Sequence, residues 1–101
     1  MGKTKDISII VPFLNEEDNI ARLGSELQAF TASRPDLDFE VILVNDGSTD
    51  RSVEEIRKTT FPPGAKLISL SQNYGSHAAL RAGIQHSTGR YVTFLYADLQ
   101  D

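Results

Sequence analysis

The chain has 101 residues, 40% of them hydrophobic and 24% charged, which suits one small domain, or a portion of a larger one, with a core under a polar surface. A net charge of −4 argues against generic affinity for nucleic acid or anionic lipid, although an anionic substrate can still be held locally. With no cysteine there is no disulfide framework and no thiolate chemistry, and no stretch approaches the ~20 apolar residues of a membrane span. Residues 1–6 are short and polar, and residues 7–11 are too brief for a signal core, so a cytoplasmic location is expected.

Residues 7–12 (ISIIVP) form an apolar run that predicts the first strand, with Pro12 at its end because proline has no amide to donate. Asn15 then predicts an N-cap, with Glu16, Glu17 and Asp18 in a first turn where the helix dipole favours carboxylates. Ile20, Leu23, Leu27 and Phe30 recur at helical spacing, and Pro35 predicts a stop near Ser33. Val41, Ile42, Leu43 and Val44 form the most continuous apolar run, expected to be a strand buried on both faces. It runs into Asn45-Asp46-Gly47-Ser48, after which Asp50 or Ser48 is expected to cap a helix carrying Val53 and Ile56.

Pro62-Pro63-Gly64 breaks the chain, and residues 65–70 (AKLISL) predict a third strand. Ser76 is a candidate cap for a helix carrying Ala79, Leu80, Ala82, Gly83 and Ile84, which Ser87-Thr88-Gly89 would end through a C-terminal glycine. Its small residues predict a close approach to the sheet. Residues 91–96 (YVTFLY) predict a fourth strand with residues 97–101 as its exit loop.

Strand and helix alternate, which predicts an α/β fold: a Rossmann-like three-layer sandwich on a parallel sheet, with every strand exit on one edge. That edge gathers residues 12–16, 45–48, 71–75 and 97–101. Two readings of residues 45–50 (NDGSTD) stay open. They are a turn into a helix, with Gly47 supplying positive φ, or they present Asp46 as an acceptor for a nucleobase imide or a ribose hydroxyl. Asp98, Gln100 and Asp101 are hard oxygen donors of the kind Mg²⁺ or Mn²⁺ accepts. There is no Walker loop and no G-x-G-x-x-G after the first strand, so ordinary nucleoside-triphosphatase and dinucleotide sites lack their fingerprint.

Four segments, SIIVPFLNEEDNI, EVILVNDGSTD, LSQNYGSHAALRAGIQHSTG and YVTFLYADLQD, together resemble the nucleotide-sugar-binding half of the inverting glycosyltransferases of family 2, of GT-A type. The D-L-Q-D form is especially similar to the dolichyl- and polyprenyl-phosphate sugar synthases. The resemblance covers residues 7–101. It implies that Pro12, Leu14 and Glu16 touch the nucleotide, Asp46 binds the base, and Asn73 and Gly75 line the pocket. It further implies that Ala97 and Asp98 contact the nucleotide sugar, while Asp98 and Gln100 help to hold Mg²⁺ or Mn²⁺ and the donor diphosphate. Tyr96 stands where that motif usually has its first aspartate, and a phenol is a poor substitute for a carboxylate ligand at neutral pH. Leu14 stands where tyrosine is common, and Gln72 where a basic residue is frequent.

The activity implied is transfer of a sugar from a UDP- or GDP-linked donor to an acceptor, with a polyprenyl phosphate as one candidate and no nucleic-acid partner. Residues 1–101 are expected to be the donor-binding part of a domain cut after the D-x-D-like motif, hence prone to self-association and inactive alone, with a parent that associates with the cytoplasmic face of a membrane. The rivals are a non-catalytic nucleotide-binding module and a flavodoxin-like signalling domain with Asp46 as phospho-acceptor.

Overall fold

The computed structural model describes residues 5–97. Four strands, β1 (Ile7–Phe13), β2 (Phe39–Asn45), β3 (Lys66–Ser69) and β4 (Tyr91–Phe94), form one parallel sheet in the order β3-β2-β1-β4. Helices α1 (Ile20–Ala32), α2 (Ser52–Lys58) and α3 (Ser76–Gln85) make the crossovers. The chain steps from β1 to β2 to β3 in one direction, then returns to place β4 on the other side of β1. Right-handed crossovers therefore put α1 and α2 on one face and α3 on the other.

The core follows this division residue by residue. Side chains of a strand alternate between faces, and Ile9, Val11 and Phe13 of β1 and Val41 and Leu43 of β2 pack with Ile20, Leu23, Leu27 and Ile56. Ile10, Ile42 and Val44 point the other way and pack with Ala79. The result is the three-layer α/β sandwich that the alternation predicts. Each fully buried Val, Leu or Ile is worth about 1.5–3 kcal/mol relative to an exposed one. Such side chains are concentrated in β1 and β2, the two central strands. Gly83 lets α3 lie against β1, because a Cβ there would collide with the Ile10 side chain.

β1 continues one residue past Pro12, to Phe13. The Ile10 carbonyl accepts from the Leu95 amide on the β4 side, whereas the Phe13 carbonyl accepts from the Asp46 amide on the β2 side. By that alternation Pro12 faces the β4 side, beyond Phe94, the last residue of β4 paired with β1. The missing amide therefore costs no ladder bond.

Helix starts differ from the expectation in a common way. α1 begins at Ile20 rather than beside Asn15, and Asn19 precedes it without a side-chain cap. Ser76 is the first residue of α3, and Gly75 (φ 98°) takes the capping position. Gly89 ends no helix, since α3 stops at Gln85 with His86 after it. Gly89 is small for another reason: a Cβ there would sit 2.5 Å from the Ser8 amide nitrogen. Phe30 is 51% exposed, half outside the stripe that should bury it, and meets Phe39 edge-on with ring centroids 5.4 Å apart.

A polar cluster ties the amino-terminal edge of the sheet. The buried Glu40 carboxylate accepts from the Ser8 hydroxyl (2.7 Å), the Thr88 amide (2.9 Å), the Thr88 hydroxyl (3.2 Å) and the Lys66 ammonium (3.1 Å). Burial alone pushes its pKa up and is the largest single influence. The Thr88 amide, the Ser8 hydroxyl and Lys66 together outweigh it and hold Glu40 below the ordinary glutamate range. Among the described residues no helix is long and apolar enough to cross a membrane.

Candidate functional site

At the opposite edge, the strand order reverses between β1 and β4, because the chain runs from β1 out to β3 and then returns to the far side of β1. Such a reversal of strand order marks the switch point outside which open α/β sheets bind ligands. A cleft of about 320 Å³ lies there. Pro12, Leu14, Glu16, Asp46, Asn73, Gly75 and Ala97 all line it, so these seven expected site residues, from four loops, are brought together. Asp98 and Gln100, the expected metal ligands, lie outside the described residues. Phe13, Ser76, Ala79 and Tyr96 line it too.

Asp46 follows directly on β2 and is only 5% exposed. Its carboxylate accepts from the Tyr74 amide (2.9 Å, Oδ1) and the Gly75 amide (3.2 Å, Oδ2), which fastens the β3–α3 loop to the end of β2. The turn reading of NDGSTD is seen directly. Gly47 has φ 81°, and Asn45 Oδ1 accepts from the Ser48 amide at 2.8 Å, as a turn requires. At the same time Asp46 is delivered to the cleft. Gly47 also has no room for a side chain, since a Cβ would lie 2.5 Å from the Asn73 nitrogen.

The β1–α1 loop, carrying Leu14 and Glu16, is laced to the β2–α2 loop. The Asn15 amide donates to the Ser48 hydroxyl (2.9 Å) and the Glu16 amide to the Ser52 hydroxyl (2.8 Å). The Glu17 amide donates to Asp50 Oδ2 (3.2 Å), and Asn15 Oδ1 accepts from the Thr49 amide (2.8 Å). Asp50 Oδ1 accepts from the Ser52 amide (2.9 Å) and hydroxyl (2.6 Å), so Asp50 serves the start of α2 from one residue outside the Arg51 cap position. Burial pushes the Asp50 pKa up and is the largest single influence. The Ser52 hydroxyl and the amides of Ser52 and Glu17 outweigh it, and the net direction is down.

Two features escape the sequence motifs. Tyr96 is 55% exposed on the cleft, so the position that departs from the D-A-D pattern is a cleft wall. The lacing of the two loops is the other, and only the density of Ser, Thr, Asn and Asp in residues 15–18 and 48–52 hints at it. Among the described residues no group of three or more His, Cys, Asp and Glu is arranged to hold a metal ion. The carboxylates present in the cleft, Glu16 and Asp46, do not make a metal centre by themselves.

The family model for glycosyl transferase family 2 matches residues 8–101. The chain belongs to that family. It is 38% identical over 97 residues to undecaprenyl-phosphate 4-deoxy-4-formamido-L-arabinose transferase of Edwardsiella ictaluri, an alignment covering 94% of this chain and 30% of that one. It thus spans about 30% of the length of the curated relatives it matches. Among solved structures, residues 1–349 of Staphylococcus aureus TarS in complex with UDP-GlcNAc align with a TM-score of 0.68 and 30% identity, covering 92% of this chain and 26% of that one. The mannosyltransferase PcManGT of Pyrobaculum calidifontis, in complex with GDP-Man and Mn²⁺, aligns with a TM-score of 0.68 and 24% identity over 95% of this chain and 28% of that one. At that identity the likeness is one of fold, the parallel α/β sheet of GT-A glycosyltransferases.

Proposed function

We propose that this chain supplies the donor-binding part of an inverting glycosyltransferase and that its cleft takes a nucleoside diphosphate sugar. The observation that carries this reading is the convergence of Glu16, Asp46, Asn73 and Ala97 on one cleft at the β1/β4 switch point of the sheet. Family membership and a 30%-identical neighbour solved with UDP-GlcNAc support it.

Asp46 is an acceptor-only group next to two backbone amides, suited to the N–H of a base. Pro12 and Leu14 add apolar surface to the cleft, and Tyr96 adds a ring and a hydroxyl. Asp98 and Gln100 would hold Mg²⁺ or Mn²⁺, which stabilises negative charge on a leaving diphosphate. In the transfer an acceptor oxygen bonds to the anomeric carbon as the bond to the diphosphate breaks, with inversion. The name of the Edwardsiella ictaluri relative favours a polyprenyl phosphate acceptor, already anionic and in need of no general base. The chain spans about 30% of the length of its curated relatives, and the expectation is donor binding with little or no turnover by residues 1–101 alone.

A second reading, a nucleotide-binding module without catalysis, is favoured by Tyr96 alone. Titration of UDP and GDP followed by NMR, with and without Mg²⁺, tests both. Shifts at Glu16, Asp46 and Asn73 that grow with metal support the transferase reading. Metal-independent shifts support the module, and no shift with either nucleotide overturns both.

A further inference from the structure

Among the described residues Asn15 is the one position other than glycine with a left-handed backbone, at φ 54°. Asparagine tolerates that conformation when its side chain finds a nearby partner, but here the partners lie 34 and 35 positions away. Asn15 Oδ1 accepts from the Thr49 amide at 2.8 Å and the Asp50 amide at 3.2 Å, two donors just ahead of α2. The backbone answers in the other direction, with the Asn15 and Glu16 amides donating to Ser48 and Ser52. The residues on either side of Asn15, Leu14 and Glu16, line the cleft, and so does Asp46 at the start of the loop it grips.

We propose that Asn15 is a positioning residue: its side-chain oxygen clamps the β1–α1 loop to the β2–α2 loop and holds Leu14, Glu16 and Asp46 in the geometry that receives a nucleoside diphosphate. The inference rests on the nucleotide-site reading above. A clamp of this kind acts through preorganisation, because a loop ordered beforehand is not ordered at the expense of binding. The bonds to Thr49 and Asp50 use only the Asn15 oxygen, so aspartate can replace it, whereas glycine keeps the backbone conformation and loses the clamp.

The test is calorimetric titration of UDP and GDP into the wild-type chain, Asn15→Gly, Asn15→Asp and Thr88→Ala, each at a temperature where it is folded, with amide exchange measured in parallel. Thr88→Ala removes a hydroxyl from the Glu40 cluster at the far edge of the sheet and serves as the control for general destabilisation. Asn15→Gly is expected to weaken nucleotide binding at least tenfold and to deprotect the Thr49 and Asp50 amides. Asn15→Asp is expected to bind within threefold of wild type, and Thr88→Ala to unfold earlier with affinity within twofold. Wild-type affinity in Asn15→Gly, failure of Asn15→Asp to restore binding, or an equal loss in Thr88→Ala would each overturn the clamp alone. A wild-type chain that binds neither nucleotide overturns the nucleotide reading and the clamp with it.

Discussion

Asp46 and Tyr74 lie 28 positions apart, yet the Tyr74 amide donates to the Asp46 carboxylate at 2.9 Å and joins the end of β2 to the loop that opens α3. A residue that lines the cleft, and that is proposed to meet the nucleotide, therefore also holds a wall of it. Asp46→Ala leaves the Tyr74 and Gly75 amides without this acceptor, at a cost of about 1–3 kcal/mol if they stay dry. Nucleotide affinity should fall at least tenfold, and amide exchange at Tyr74 and Gly75 should accelerate. Asp46→Asn retains one carbonyl acceptor and should fall between. Unchanged exchange at both amides in Asp46→Ala would show that the carboxylate does not hold the loop.

Glu40 predicts an acid limb of stability. Its folded pKa is depressed, so its contribution is fully present above the unfolded glutamate value of ~4.3 and is lost as pH falls through the lower folded value. Thermal midpoints should therefore decline below about pH 5, and Glu40→Gln should flatten that decline while lowering stability at pH 7 by about 1–3 kcal/mol. Lys66 is 49% exposed, and its pair with Glu40 is screened, so Lys66→Met should cost no more than about 1 kcal/mol. Ser8→Ala, which removes the buried hydroxyl, should cost more than Lys66→Met. Midpoints across pH 2–7 for the three variants check the order.

Gly47 and Gly64 have nearly the same backbone, φ 81° and 82°, in different surroundings. A Cβ on Gly64 would meet nothing within 4 Å, whereas one on Gly47 would face the Asn73 nitrogen at 2.5 Å and the Gln72 carbonyl carbon at 2.6 Å. Gly64→Ala should carry only the conformational penalty, about 1–2 kcal/mol. Gly47→Ala should carry that penalty and displace residues 72 and 73 as well, lowering the unfolding midpoint further and weakening nucleotide binding. Equal midpoints for the two variants would show that the loop crossing yields easily.

The parts of this fold legible in sequence are those set by local pattern. Val41 to Val44 announce a buried strand, the spacing of Ile20, Leu23 and Leu27 a helix, and Ala79 and Gly83 a close helix–sheet contact. Asp50 serves the start of α2 as its chemistry predicts, but the assignment of the other short polar residues to helix ends failed. Asn15, Ser48 and Ser76 have the chemistry of caps, but Asn15 and Ser48 bond to each other's loops across the sheet edge, and Gly75 caps α3. Gly89 has the chemistry of a helix stop, but it is small because Ser8 passes close by. For Asn15, Ser48 and Gly89 the partner lies more than thirty residues away, out of reach of any local pattern, and at α3 the cap position falls on a glycine without a side-chain bond. The cleft residues were legible because four strand exits share one edge in any parallel sheet of this connectivity.

Tyr96 offers the sharpest test of what the cleft of this particular chain can do. It occupies the cleft wall where the resemblance places a carboxylate, and it is 55% exposed there, so a smaller side chain can replace it without leaving a core cavity. A carboxylate is a hard, anionic oxygen ligand and a phenol is not. If nucleotide is held here with a divalent ion, Tyr96→Asp should raise the Mg²⁺ dependence of UDP or GDP affinity, with metal tightening binding at least fivefold more than in the wild type. Without metal the added charge near Glu16 and Asp46 should weaken binding of a diphosphate by about twofold to fivefold, because like charges repel across the cleft. Calorimetric titrations of both proteins with and without Mg²⁺ separate these effects. Identical metal dependence in the two would mean that position 96 does not face the ion. Tighter metal-free binding by wild type than by Tyr96→Phe would then assign the tyrosine hydroxyl a direct contact with the nucleotide.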